Sequence, residues 1–340
     1  MKRRIIGVAV VALFAVAPFL DFGLPVLLNS EIASPGSLQI LAIALIYAGF
    51  AVSYDILFGF TGLLSFGHAL PIAVGVYGTN LLMLHLDMPY FAATIAALVI
   101  NLTLAGLLGA VALRTSGVAF AMVTLAFAEA FGILVLQDPL SFFGGEEGIP
   151  LTSEQVPDFF RGVVNTRNLF WYALIFVVAT YLISRRVVSS RAGRVWEAVR
   201  ENEPRVHMLG LEPFAFKLAA FMIASALASL GGSVYLLLVR GSNPSVTSAE
   251  FTLALLVMVV LGGPGRLWGA AIGGFVYAFL TLRLSAVSTS DAISALPHWL
   301  SGPLSEPLFV LGVLFVILVL YAPGGLASIA SKPKRSPRPS

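Results

Sequence analysis

Arg185–Lys217 reads RRVVSSRAGRVWEAVRENEPRVHMLGLEPFAFK, and it is the one long, strongly charged stretch inside an otherwise apolar chain. Arg185, Arg186, Arg191, Arg194, Arg200 and Arg205 gather there between two hydrophobic runs, which is where the positive-inside rule places a cytoplasmic loop. Within it Gly193–Glu203 has a helical pattern. Val195 and Val199 share a face, and Glu197 stands three residues from both Arg194 and Arg200, close enough to pair with either. Pro204 is expected to stop that helix, because it lacks an N–H and clashes with the preceding turn. Two readings fit a short amphipathic helix held at the membrane surface: a connector between spans, or a docking element for a cytosolic partner.

Working outward, composition requires a membrane. Hydrophobic residues make up 58% of the chain and charged residues 11%, with a mean hydropathy of +0.94, too little polar surface to coat a soluble globule of 340 residues. The net charge of +3 is no nucleic-acid signal, since the basic residues lie in loops and tails. Without cysteine there is neither disulfide nor thiol chemistry.

Lys2, Arg3 and Arg4 precede an apolar run from Ile5 to Leu28, and Ala15–Val16–Ala17 offers a small-residue cleavage pattern. The following Pro18 and the length of the run favour an uncleaved first helix. Further spans are expected at Leu38–Phe58, Leu63–Leu84, Tyr90–Leu113, Val118–Leu136, Leu169–Ile183, Lys217–Val239, Phe251–Leu261, Gly269–Val287 and Glu306–Leu320. The fold class is therefore all-α, a polytopic protein of about ten transmembrane helices. With both termini inside, only Arg161, Arg167, Arg240 and Arg283 of the 20 basic residues fall outside. Residues 1–330 form the transmembrane domain with its cytoplasmic loop at 185–216. Residues 331–340, basic and proline-rich, read as a disordered cytoplasmic tail near anionic lipid.

Two segments are irregular. Gly59–Gly78 carries six glycines and prolines, and the short Phe251 span runs into Gly262–Gly263–Pro264–Gly265. Both contain G-x-x-G-x-L, at Gly59–Leu64 and Gly262–Leu267. Broken helices at matching positions mark transport sites in repeat-built carriers, while small residues alone let helices pack closely, and packing suffices for most of these glycines.

Polar residues at membrane depth carry more information, because an ionisable group there is costly. Glu129 lies mid-span with Thr124 about one turn away, as either a helix-packing residue or part of a pathway. Ser65 and His68 flank the first irregular segment, with Asp55 near the cytosolic interface. A zwitterion would need an anion such as Glu129 for its ammonium, and free N–H groups, such as broken helices near Ser65 and Gly263 provide, for its carboxylate. Catalytic chemistry is absent from the pattern. His68, His85, His207 and His298 lack metal-ligand spacing, and there is no G-x-x-x-x-G-K-[ST] loop for ATP, so neither enzyme activity nor a cofactor or metal is expected.

The charged loop SRAGRVWEAVRENEP, followed by LGLEPFAFKLAAFMIASALASLGGSVY and VVLGGPGRLWGAAIGG, resembles the LivM-type permease subunit of branched-chain amino-acid ABC transporters. GFTGLLSFGHA at Gly59–Ala69, TLAFAE at Thr124–Glu129, GGEEGI at Gly144–Ile149 and APGGLA near the end extend the resemblance over nearly the whole chain. It implies that Arg191, Arg194, Glu197, Arg200, Glu201 and Gly210 belong to a coupling helix seated on a cytosolic ATP-binding subunit. It also implies a second, related permease subunit, an extracytoplasmic substrate-binding protein, the cell inner membrane, and import of leucine, isoleucine or valine. The acidic loop Gln137–Asn168, with Gly144, Gly145, Glu146 and Glu147, would face the binding protein. Where the family shows Thr-Gly-Gly before a polar pair, this chain has Phe143 before Gly144–Gly145 and two glutamates after. Urea, short amides or other carboxylates are therefore open as cargo. The alternative is an ion-coupled secondary transporter using Glu129 as its proton or cation site.

Overall fold

The apolar runs fold as helices, and the computed structural model describes residues 9, 11–19, 31–139, 141–162, 165–288, 307–321 and 324–329 of an all-α membrane protein. Helix α1 (Pro35–Asp55) starts on a proline, with Ser34 Oγ accepting from the Ser37 N–H at 3.3 Å, a cap for one of the donors every helix start leaves over. It continues as a π-helical turn, Ile56–Thr61, which closes at Gly62 with φ of +75°. Irregular backbone then leads to α2 (Ala69–Leu86), so the first glycine-rich segment breaks the helix where the sequence predicts. Next come α3 (Tyr90–Ala112), α4 (Val118–Gln137), α5 (Thr166–Val188), α6 (Arg191–Met208), α7 (Pro213–Val239), α8 (Ala249–Gly262), α9 (Leu267–Ser288), α10 (Pro307–Tyr321) and the short α11 (Leu326–Ile329).

Among the described residues six helices, α1 with its π turn, α2, α3, α4, α5 and α7, are long and apolar enough to cross a membrane, and α8 and α9 are shorter apolar helices. The expected first span lies mostly outside the described residues. The part that is described is helical over 11–16 and ends in a 3-10 turn, Ala17–Phe19, with Phe14 edge-on to Phe275 and Trp171 Nε1 donating to the Ala15 carbonyl at 3.3 Å. The expected tail at 331–340 lies outside them entirely.

Helix α1 is the centre, with 83% of its most apolar stretch buried, packed by α5, α7, α8 and α9. Helices α3 and α4 form a rim, with only 28% and 33% buried, and therefore turn broad apolar faces away from the protomer. The two ends of the bundle differ. At one end the loops after α2, α4 and α7 meet. Strand β1 (Ile149–Pro150) pairs antiparallel with β2 (Gly241–Ser242), and Gln155 Nε2 donates to Asp87 at 3.0 Å. At the other end lie the π turn, α6, the α8–α9 turn and α11.

Helix α6 departs from expectation at two points. It begins at Arg191, capped by Ser190 Oγ, and it continues past Pro204 to Met208. Pro204 does end the first helical stretch, because Asn202 leaves helical geometry (φ −162°, ψ 96°). Asn202 Oδ1 then caps a second turn by accepting from the Arg205 N–H at 3.0 Å, with Pro204 near its start where a missing N–H does no harm. Gly210, with φ of +77°, closes that turn. The two expected pairings of Glu197, with Arg194 and Arg200, are not among the ion pairs of the described residues. Instead Lys217 Nζ, almost fully buried, reaches Glu203 at 2.6 Å and ties the second turn to α7.

Candidate functional site

The polar residues singled out in the sequence separate into four groups. Ser65, His68 and Thr124 come together where α2 begins inside the bundle. The N–H of Phe66 donates to Thr124 Oγ1 at 3.2 Å, that of Gly67 to Ser65 Oγ at 3.3 Å, and that of Ala69 to Thr252 Oγ1 at 3.0 Å. The Ser53 hydroxyl already donates to the Phe50 carbonyl, so it accepts from His68 Nε2 at 3.1 Å. Tyr54 donates to the Ser65 carbonyl at 2.8 Å. All three predicted residues are buried. The N-terminal donors that an anion would use are thus filled by hydroxyls from α4, α8 and the broken segment itself. Beside Thr124 an apolar cavity lined by Leu70, Leu104, Leu108, Phe127 and Phe221 has a volume of about 20 Å³, room for one water and not for an amino acid.

Glu129 is not in this cluster. It sits on the opposite face of α4, exposed, in line with Met122, Ala126 and Ile133. A carboxylate turned outward from a transmembrane helix is costly against lipid, so that face is one that protein or water must cover.

Gly263 belongs to a third group, at the α6 end. It is buried with φ of +103°, under Gly324 and Gly325 of the chain's APGGLA segment. Two residues further along the turn, the Gly265 N–H donates to Asp55 Oδ1 at 2.8 Å. The guanidinium of Arg200 donates to the Gly59 carbonyl. Arg200 Nη1 also lies 3.1 Å from where a Cβ on Gly265 would stand, and its stem 2.9 Å from one on Gly62. The two G-x-x-G-x-L motifs therefore meet each other across Arg200. Any side chain on Gly59 would collide with the Asp55 carboxylate and the Gly265 N–H. Sequence reasoning put Asp55 merely near the interface; the signal it missed was that a carboxylate four residues before the first motif can reach the second.

The rest of α6 behaves as an anchored surface helix. Trp196 is fully buried, its Nε1 donating to the Phe216 carbonyl at 2.8 Å, and Val199 and Val206 are buried beside it. Trp196 and Val199 fill the face that hydrophobic periodicity assigns inward. Arg191, Arg194, Glu197, Arg200 and Glu201 are exposed, as are Met208 and Leu209 at 79% and 73%.

The fourth group is the outer loop. Gly144 and Gly145 both have positive φ, and Glu146 and Glu147 are exposed on a single 3-10 turn. Asp138, in the left-handed region at the end of α4, organises this loop: its carboxylate accepts from the N–H groups of Phe142, Phe143 and Gly144 at 2.6, 2.9 and 2.9 Å. Desolvation works to raise its pKa, but the three backbone donors prevail and hold the carboxyl below its usual range. From below, Asn80 Nδ2 donates to the Ile149 carbonyl at 3.1 Å and to Ser242 Oγ at 3.0 Å, stapling the loop to β2. Asn80 escaped sequence reasoning, since one amide in an apolar helix has no distinguishing pattern. Among the described residues no group of three His, Asp or Glu side chains is placed to hold a metal.

Comparison with known proteins gives this arrangement a context. Residues 36–321 match the family described as branched-chain amino acid transport system / permease component. The chain is 28% identical to the high-affinity branched-chain amino acid transport system permease protein LivM of Salmonella typhimurium, over 86% of this chain and 70% of that one. To the LivM protein of Escherichia coli K12 it is 27% identical, over 96% and 75%. The permease protein LivH of Escherichia coli K12 is more distant, 23% identical over 72% of this chain and 83% of its own length. No solved structure gives a significant match.

Proposed function

The chain belongs to the family of branched-chain amino acid transport system permease components, and from that premise we propose that it is one of two membrane subunits of an ABC importer. Branched-chain amino acids would pass inward, delivered by a binding protein and driven by separate ATPase subunits. The observation that carries this reading is α6: a charged helix outside the spans, rooted by Trp196 and Lys217, with Arg191, Arg194, Glu197, Glu201, Met208 and Leu209 free on its surface. An exposed mix of charge and large apolar groups at a membrane surface suits a protein partner, here the ATPase. The positive-inside distribution supports a cytosolic position for that end and for the termini, with the chain in the cell inner membrane. The opposite end, where Glu146 and Glu147 project from Gly144 and Gly145, would receive the binding protein. The chain's role is conduction, without catalysis of its own.

The outward face of α4 supports a second permease as neighbour, because Glu129 needs company other than lipid and α3 and α4 are only 28% and 33% buried over their most apolar stretches. Glu129 would then line the path between the two subunits, where it could meet a substrate ammonium. Residues 36–321 constitute the permease domain in this reading, with the tail as an appendage.

Uptake of labelled leucine into proteoliposomes holding the assembled transporter tests the proposal. ATP supplied on the α6 side should drive accumulation, and an uncoupler should leave it unchanged. Collapse with the uncoupler while ATP is held constant would replace this reading with the ion-coupled carrier. Within the same assay Glu129→Ala should lower uptake at least tenfold with assembly intact, and Glu129→Gln less.

A further inference from the structure

Asp55 presents an imbalance. It is fully buried; its carboxylate faces the backbone N–H groups of Gly265 and Arg266, with Oδ1 accepting from Gly265 at 2.8 Å, while Oδ2 makes no hydrogen bond of regular geometry. A buried carboxylate in that condition is unfavourable unless a cation offsets it. The cation within electrostatic reach is Arg200, which comes from α6 and holds the Gly59 carbonyl on the π turn, one helical turn beyond Asp55. Three separate segments thus converge on one polar knot: the π turn of α1, the α8–α9 turn, and the helix we assign to ATPase docking. A side chain on Gly62 or Gly265 would press on Arg200, and one on Gly59 would strike Asp55 and the Gly265 N–H, so the knot is closely fitted. The π turn itself is a helical irregularity of the kind concentrated at functional sites.

Building on the transport reading above, we infer that Asp55 and Arg200 form the positioning pair through which displacement of α6 is passed to the π turn and the α8–α9 turn. Arg200 is rigidly forked and permanently charged, so any movement of α6 pulls on the Gly59 carbonyl and changes the field at Asp55. Asp55 in turn holds the Gly265 N–H. The Asp55 carboxylate lies against Gly59, so Oδ2 offers the guanidinium a second acceptor beside the carbonyl it already holds, and α6 can shift between the two. The π turn leads directly to Ser65 and His68 at the start of α2, so the movement arrives at the buried hydroxyl cluster.

The test has two independent readouts. In the purified chain, hydrogen exchange at 262–267 reports the clasp directly, because the Gly265 N–H lies outside a helix and is held by Asp55. Arg200→Gln and Asp55→Asn should each speed exchange there at least tenfold, with the helices still protected. In the reconstituted transporter, leucine taken up per ATP hydrolysed should fall at least tenfold in Asp55→Asn, with hydrolysis itself within twofold. The double Asp55→Asn/Arg200→Gln should be no worse than either single change, because both break one connection. Arg200→Lys keeps charge and a donor and should lose no more than threefold. Unchanged exchange at 262–267 overturns the inference whatever the transport result, and so do losses that multiply in the double variant. A transporter that ignores leucine while the exchange result holds overturns the cargo reading and leaves the clasp standing.

Discussion

Each end of the bundle is organised by an aspartate at the end of a helix, and the two are satisfied in opposite ways. Asp138 is half-buried at the loop surface and accepts three backbone N–H groups from the loop it folds. Asp55 is fully buried and faces two, those of Gly265 and Arg266 in a turn more than two hundred residues away, with Oδ2 making no bond of regular geometry. Three donors from its own loop complete the first site, so it needs no distant partner. Nothing completes the second except a cation on a separate helix, so its stability depends on where that helix is. The outer end is accordingly a capped loop, and the α6 end an incompletely satisfied junction.

The sharpest way to break this contrast is to ask which compartment each end faces. The chain has no native cysteine, so Glu197→Cys and Glu146→Cys can be labelled singly. In intact cells a membrane-impermeant thiol reagent should modify the second fully and the first not at all. Labelling of Glu197→Cys from outside would invert the assignment of both ends.

The next largest effect concerns the anchor of the α6 end. Trp196→Ala removes a fully buried indole and its hydrogen bond to Phe216, and should lower unfolding free energy in detergent by about 3–5 kcal/mol. It should also free α6, so that co-purification of the ATPase falls. A loss under about 1 kcal/mol would mean that α6 lies loosely on the bundle.

At the outer end Asn80→Ala leaves the Ile149 carbonyl and Ser242 without their donor, and should cost about 1–3 kcal/mol. Hydrogen exchange should rise along 149–151 and 240–242 while the α6 end is unaffected. A change that reached 262–267 would show that the ends are not independent.

The smallest effect is a pH dependence. Asp138 has a lowered pKa in the folded loop, so its contribution is fully present above the ordinary aspartate pKa of about 3.9 and disappears as pH falls through the depressed value. The amides of Phe142, Phe143 and Gly144 should be protected at neutral pH and lose protection only in strong acid. Asp138→Asn should remove the pH dependence. Loss of protection already near pH 6 would assign the loop's order to another group.

The helices were legible because lipid demands long apolar runs, which is why spans such as Tyr90–Leu113 and Val118–Leu136 match α3 and α4 within a residue or so. Glycine in the two irregular segments was legible as a break. What each glycine makes room for was not, since Gly59 and Gly265 are over two hundred residues apart and only the packed bundle brings them together. Glu129 was visible as a charge at depth, but periodicity in a uniformly apolar helix does not say which face is inward. Pro204 was rightly read as a stop, and the second turn was missed because Asn202 was not recognised as a cap. The candidate substrate residues were individually well chosen as polar and deep, yet they fall into three places because sequence adjacency carries no information about depth.

One consequence follows from the hydroxyls at the start of α2. Four donors there, the N–H groups of Phe66, Gly67, Ala69 and Leu70, are already engaged by Thr124, Ser65, Thr252 and the Gly67 carbonyl. A stray chloride entering this conformation finds those four N–H groups occupied, and the water-sized void beside Thr124 has no room for it. Saturation of this kind works against leakage, since backbone groups that would welcome an anion are kept busy by the protein's own hydroxyls.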